Sequence, residues 1–451
     1  MTTRREFMGL ATGTAALATS VPKLFADTCA AAPLRPIPTA RQVEWHDAEI
    51  GLFVHWDIGV SGWTADGKQK KGVPGMRCTP AEWYNPEKLD TDQWMEAAKA
   101  LGAKYALFTA KHGSGFLQWQ SDAYDYSMKQ SPYRGGKGDV VKMFVESCRK
   151  YGIKPGLYLS FDNNWYLQAH KFKVKDADEA MRLRYKKACE RYASEIWGNY
   201  GELFEIWIDG GLPPPETGIE LLPLIEKYQP NAMVFGGSSK KPNFLRWAAN
   251  EDGYVRYPSP ATNGNAWQPF ECATPLQRNF KWFWTPNCSA NNRNYEELVS
   301  MYYHVPGRNG NLLLGATPGP DGLIPKLDME MYGHVGKAIK ERFGSPLGKV
   351  SGEGDVVTIR LPQVTEINQM SIREDIARSG ERIRAYLVEG RLADNTWAPL
   401  CAGTNVGHRR VDLFEKTPVK EVRLRVLDSW DKPLIRDFEV FHMGDWRPVI
   451  V

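Results

Sequence analysis

The sequence predicts an α/β protein: a (β/α)8-like TIM barrel followed by a C-terminal all-β sandwich. Three observations predict it. Strand-like and helix-like segments alternate from about Glu44 to Arg342. The helix-like segments carry capping residues at their starts and glycines near their ends. Beyond Phe343 the pattern changes to short alternating runs separated by Gly, Pro, Asn and Asp. At 451 residues the chain is long enough for one large domain and one smaller one.

In chain order, the first segment is "TTRREFMGLATGTAALATSVPKLFADT". Arg4 and Arg5 precede a moderately apolar run from Phe7 to about Val21, the pattern of a twin-arginine export signal, and "LFA" at 24–26 offers a cleavage site. The run is too short and too rich in Gly, Ala and Thr to span a membrane. Residues 1–30 are therefore set apart from the fold, and the expected mature protein is soluble and exported, periplasmic or extracellular. The barrel is expected over 31–343. Its strands are expected at Ile50–Trp56, Tyr105–Ala110, Lys154–Ser160, Leu203–Asp209, Ala232–Gly237 and Asn311–Thr317. Helices are expected at Asp90–Ala103, Asp139–Ile153 and Asp178–Gly201. Eight strands are assumed rather than counted. Over 344–451, "GDVVTIRLP", "RIRAYLVEG", "KEVRLRVL" and "IRDFEVFHM" read as strands of a module expected to brace the barrel, with sugar binding as the alternative.

Composition excludes several functions. A formal charge of +4 with no Lys/Arg stripe does not suit a nucleic-acid binder. Seven cysteines, an odd number with no CxxC, make neither a disulfide framework nor a zinc ribbon. HExxH, Walker A and a dinucleotide-type GxGxxG are absent, so no metal, nucleotide or flavin cofactor is expected. The 16 Trp, 19 Tyr and 18 Phe suit a site that stacks sugar rings as well as a large core.

The candidate site begins at "FEIWIDGG", where an apolar strand ends on Asp209 and two glycines. Asp before Gly is ordinary turn chemistry. A βα-barrel, however, keeps its chemistry at the C-terminal ends of its strands. Other expected strands end on polar or aromatic groups too: His55 and Trp56, then Lys111 and His112, then Asp162, Asn163, Asn164 and Trp165. Glycoside hydrolysis needs two carboxyl groups. Glu251 in "NEDG" and Glu271 in "WQPFECATP", beside Trp267, are the candidates for the second, and spacing does not decide which faces Asp209.

The motifs "GLFVHW", "EWY", "GAKYALFTAKHGSGFLQW", "NYGELFEIWIDGG" and "GRNGNLLLGATPGPDGLI" together resemble glycoside hydrolase family 29, the α-L-fucosidases. The resemblance implies a retaining exo-α-L-fucosidase with no cofactor, acting on fucosylated oligosaccharides or glycoconjugates. It implies Asp209 as nucleophile, with His55, Trp56 and His112 binding fucose. For the acid/base, "WQPFECATPLQRNFKWFW" favours Glu271 as first choice, and "NEDG" favours Glu251 as the alternative. Trp56, Trp165 or Trp267 would pack on the apolar face of the sugar. "KHGSGF" in place of "KHHDGF" resembles the branch that prefers α-1,3 and α-1,4 linkages. The alternatives are a glycosidase of the same barrel type acting on another sugar, and a non-catalytic glycan-binding protein.

Overall fold

The structure is a computed structural model that describes residues 36–64, 66–70, 79–175, 178–237, 241 and 243–449. The expected export signal lies outside the described residues. Eight parallel strands form the first sheet: β1 (Ile50–Val54), β2 (Tyr105–Lys111), β3 (Lys154–Ser160), β4 (Glu205–Asp209), β5 (Met233–Phe235), β6 (Arg246–Trp247), β7 (Phe270–Thr274) and β8 (Gly310–Ala316). The sheet runs β5-β4-β3-β2-β1-β8-β7-β6. Backbone bonds from Val234 to Asn243 and from Leu245 to Val234, both 2.8 Å, join β5 to the segment entering β6 and bring the barrel nearly to closure.

Helices α1 (Ala40–Ala48), α2 (Thr91–Leu101), α3 (Val140–Tyr151), α4 (Glu179–Asn199), α5 (Leu222–Tyr228), α6 (Tyr295–His304) and α7 (Lys326–Phe343) surround the sheet. Their ends follow the expected signals. The side chains of Asp90, Asp139 and Asp178 accept backbone N–H groups at the starts of α2, α3 and α4. Gly102 and Gly152 end α2 and α3 in the left-handed conformation. Among the described residues no helix lies between β5 and β6 or between β6 and β7. No helix among them is long and apolar enough to cross a membrane.

Period-two alternation sorts the strand side chains. One set faces outward and packs against the helices, with Leu52, Val54, Ala106, Phe108, Leu157, Ile206 and Ile208 in the large core. The other faces the barrel axis as an aromatic-rich cluster: Phe53, Tyr105, Leu107, Tyr158, Trp207, Phe235, Leu245, Ala273 and Leu313. Trp207 and Phe235 stack there with ring centroids 3.5 Å apart.

The all-β module has β9 (Gly348–Glu353), β10 (Val356–Glu374), β11 (Ile383–Arg391), β12 (Trp397–Gly403), β13 (Arg410–Ser429) and β14 (Leu434–Phe441). They pair antiparallel in the order β9-β14-β10-β13-β11-β12. The two longest strands, β10 and β13, change register between Arg360 and Thr365 and again between Ile367 and Gln369, where the ladder bends. Ile359, Ile372, Val388, Val422, Leu424 and Phe438 fill the module's own core.

The module is tied to the bottom of the barrel. Glu49, just before β1, accepts Arg409 at 2.9 Å and Arg373 at 2.6 Å. Glu381 accepts Asn309 Nδ2 at 2.6 Å and the backbone N–H of Ala261 at 2.8 Å. Tyr303 donates to Gln369 at 2.8 Å.

Candidate active site

A cavity of about 650 Å³ opens at the C-terminal ends of the barrel strands, a size typical of small-ligand sites. Phe53, Tyr158, Trp207, Phe235, Leu245 and Ala273 make its apolar floor and walls. The polar groups rise above that floor on the inward-facing positions. His55 follows Phe53 by two residues, Asp209 follows Trp207 by two, and Trp247 follows Leu245 by two. His112 enters from the end of β2, and Glu251 from the loop after β6.

Asp209 accepts the Tyr158 hydroxyl at 2.6 Å. Burial and the Asp209 charge push the Tyr158 phenol well above its usual range, so the proton stays on Tyr158 and the hydrogen bond orients the Asp209 side chain. Glu251 accepts the indole N–H of Trp282 at 2.9 Å. Burial pushes the Glu251 carboxyl above the ordinary carboxyl range. The Trp282 bond offsets this in part, and the charge of Asp209 adds to it. Two carboxyl groups thus share one cavity, Asp209 held by a phenol and Glu251 by an indole.

His55 and His112 are both neutral. Burial lowers His55 to about 3 and His112 to about 4, with Lys111 beside His112 adding to the shift. Phe283 packs against both rings, with centroids 5.4 and 4.7 Å away. Trp282 lies against His55 at 4.6 Å. His112 Nδ1 has no hydrogen-bond partner, although it is buried beside the cavity. Lys111 is buried and donates to the carbonyls of Ser160 and, at 2.6 Å, Asn163, which pins the segment after β3. The glycines answer to close packing. Gly236 has φ +97°, and a Cβ there would sit 1.8 Å from the Ile208 carbonyl oxygen.

Of the residues expected from sequence, Asp209, His55, His112 and Glu251 come together on the cavity. Glu271, the first choice for the acid, does not line it. Ala273 reaches the cavity floor, and Glu271 is two residues earlier on the same inward face of β7, so it lies one layer deeper. There it is fully buried, accepts Tyr105 at 2.7 Å, and is hydrogen-bonded to Glu205, which accepts Trp45 Nε1 at 2.7 Å. Asp209 is four residues beyond Glu205 on β4, about 13 Å along the strand.

Trp56 is not on the cavity either. It is 1% exposed, packs on Tyr84 and Trp94, and donates to the Gly319 carbonyl at 3.1 Å, because it points outward where His55 points in. Trp165 is half-buried over Gly113, to whose carbonyl its backbone N–H donates at 2.9 Å, and it does not line the cavity. Trp267 is buried with Ala261 and Ile376, its carbonyl accepting Gln42 from α1. Tyr158, Trp207, Trp247 and Trp282 are cavity residues that the sequence reading did not select. The inward alternation that selects His55 and Asp209 also selects Tyr158, Trp207 and Trp247.

Residues 32–342 match the family model described as alpha-L-fucosidase, well over half of the chain. The chain belongs to the α-L-fucosidase family. Its relatives include Alpha-L-fucosidase 1 of Arabidopsis thaliana, 26% identical in an alignment that covers 85% of this chain and 82% of the relative. Among solved structures, that of a "putative alpha-L-fucosidase" from Bacteroides thetaiotaomicron is 36% identical. It superposes with a TM-score of 0.85 over 91% of this chain and 100% of the other. A glycoside hydrolase 29 family member from an unknown rumen bacterium is 26% identical, with a TM-score of 0.75 over 92% and 79%. As an α-L-fucosidase the chain must recognise a deoxy sugar with one apolar edge. The cavity is lined by two imidazoles, His55 and His112, and by the stacked Trp207 and Phe235.

Proposed function

We propose that this α-L-fucosidase is a retaining exo-enzyme in which Asp209 is the nucleophile and Glu251 the acid/base. The observation that carries the reading is the pairing of these two carboxyl groups on one cavity, with Glu251 pushed up by its burial and by the Asp209 charge. Asp209 attacks the anomeric carbon of fucose, and the Glu251 acid gives its proton to the departing glycosidic oxygen. Water then attacks the fucosyl ester, with Glu251 as base, and the second inversion restores the starting configuration. His55 and His112 hydrogen-bond fucose hydroxyl groups. Tyr158 holds Asp209 in line for attack.

The substrate is terminal α-linked L-fucose, with a preference for α-1,3 and α-1,4 linkages. The preference rests on "KHGSGF", which carries Gly113 and Ser114 in place of the His and Asp of "KHHDGF". Ser114 is turned to Asp57, to which it donates at 2.9 Å, and Gly113 leaves its space to Trp165. Export through a twin-arginine signal is part of the same proposal and rests on Arg4, Arg5 and the apolar run after them.

The test is fucose release from a Lewis-type trisaccharide and from an aryl α-L-fucoside by the wild type and Asp209→Ala. The expected result is release from the trisaccharide, a weak rate on the aryl fucoside, α-fucose as the first anomer seen by NMR, and loss of turnover in a folded Asp209→Ala. Wild-type turnover by Asp209→Ala would overturn the nucleophile, β-fucose as the first product the retaining mechanism, and equal rates on both substrates the linkage preference.

A further inference from the structure

The large hydrophobic side chains that line the cavity are buried or half-buried, with one exception. Among the described residues, Trp247 is the only large hydrophobic cavity residue that is also solvent-exposed, at 52%. Exposed aromatic surface at the mouth of a site is costly to leave in water and reads as a contact surface. Its place on the rim says what touches it. Trp247 ends β6 and points toward the barrel axis above Leu245. Glu251 follows four residues later in the same strand-end segment.

A general acid must reach the oxygen that joins fucose to the rest of the glycan. The sugar attached to that oxygen therefore lies on the Glu251 side of the cavity, which is the side Trp247 occupies. The flank beside it is filled by rings, since Trp282 donates to Glu251 and lies against His55, which also meets Phe283. Gly211, Gly236 and Gly237 line the cavity from the ends of β4 and β5 without side chains, so a ring can pass over that part of the rim.

We infer that the Trp247 indole is the platform on which the leaving sugar stacks, making it a specificity-determining contact outside the fucose pocket. The inference rests on Glu251 as the acid. The ligand it takes is a pyranose with a flat C–H face, joined to fucose through the scissile oxygen. No bond is made or broken at Trp247. Its contact orients the leaving oxygen toward Glu251 and selects for a sugar rather than a small leaving group.

The experiment compares kcat/KM for a fucosylated oligosaccharide with that for α-L-fucosyl fluoride, whose leaving group is a single atom. The oligosaccharide is whichever of a Lewis-type trisaccharide and 2′-fucosyllactose the wild type cleaves faster. Trp247→Ala is expected to lower the oligosaccharide-to-fluoride ratio by about 10–100-fold, the effect of one lost ring contact. Trp247→Phe is expected to keep most of it. An unchanged ratio in a folded Trp247→Ala overturns the platform. Glu251→Gln separates this failure from failure of the acid assignment, because a fluoride leaving group needs no proton. Loss on the oligosaccharide well beyond loss on the fluoride keeps Glu251 as the acid, and equal rates to wild type on both remove it and the inference with it.

Discussion

The proton on Glu251 sets the upper pH limit of the chemistry proposed here. Burial and the Asp209 charge both favour the neutral acid, so Glu251 holds its proton above the ordinary carboxyl range. The acid form is present below its raised pKa and is lost as pH rises through it, and cleavage of a sugar leaving group falls over that interval. His55 and His112 titrate near 3 and 4, so neither adds a limb near neutrality. The expected kcat/KM profile on an oligosaccharide therefore has a single basic limb. Glu251→Gln should remove that limb and cut the rate by about 100-fold or more, as loss of a general acid does. A pH series with both enzymes measures this. A basic limb that survives in Glu251→Gln would assign the proton to another group.

At the scale of the strand, one register decides which polar groups reach the cavity. Glu205, Trp207 and Asp209 all face the barrel axis, as do Glu271 and Ala273, yet only the upper members meet the cavity. His55, His112 and Asp209 were legible in the sequence because they follow unmistakable apolar strands. Glu271 was preferred because "WQPFECATPLQRNFKWFW" resembles an acid-carrying segment, and that resemblance does not show how deep in the barrel the strand "FECAT" holds it. An acid among aromatics looks the same from sequence at either end of a barrel. Glu251 sits on a loop after a strand of two residues, which no periodicity reveals. Trp56 and Trp267 show the same limit, since aromatic type alone does not tell a sugar platform from a core ring.

The Glu205/Glu271 pair has its own consequence. The free oxygens, Glu205 Oε1 and Glu271 Oε2, have no donor among the described residues, and the two carboxyls face each other closely enough that one proton held between them would satisfy both. Burial raises both carboxyls above the ordinary range. The folded state therefore holds more protons than the unfolded chain. This stabilising contribution is full below the unfolded carboxyl pKa, about 4.3, and is lost as pH rises through the raised folded values. The expected outcome is lower resistance to urea at about pH 8 than at about pH 5, with the difference reduced in Glu271→Gln, whose amide keeps the bridge without a titrating proton. An equal pH dependence in both proteins would count against the shared proton.

At the scale of the molecule, the all-β module and barrel are joined through charge as well as packing. Burial alone would raise the Glu49 carboxyl, but Arg409 and Arg373 outweigh it and hold it well below the usual range. Replacing it strands the Arg409 guanidinium, with only 3% of its side chain exposed, while Arg373 keeps Asp437 and Glu439 at 3.9 Å. Glu49→Gln is expected to cost about 3–5 kcal/mol in a denaturant titration, the penalty of breaking a buried pair. A loss near zero would mean that water reaches the joint. The change from barrel to β module near Phe343 was plain in the sequence, because periodicity itself changes there. The ion pairs at the joint were not, since Glu49 and Arg409 are 360 residues apart.

The barrel is thinnest at β5 and β6, three and two residues long, where no described helix lies between β5 and β7. The backbone there is held by a few bonds, among them Leu245 to Val234, Arg246 to Pro269 and Ala248 to Glu271. Local opening should therefore begin at this seam, and its amides should trade hydrogen for deuterium before those of β1 to β4. Because the same seam ends in Trp247 beside the cavity, occupancy of the cavity should be readable as a slowing of that exchange, a clock for binding that needs no turnover.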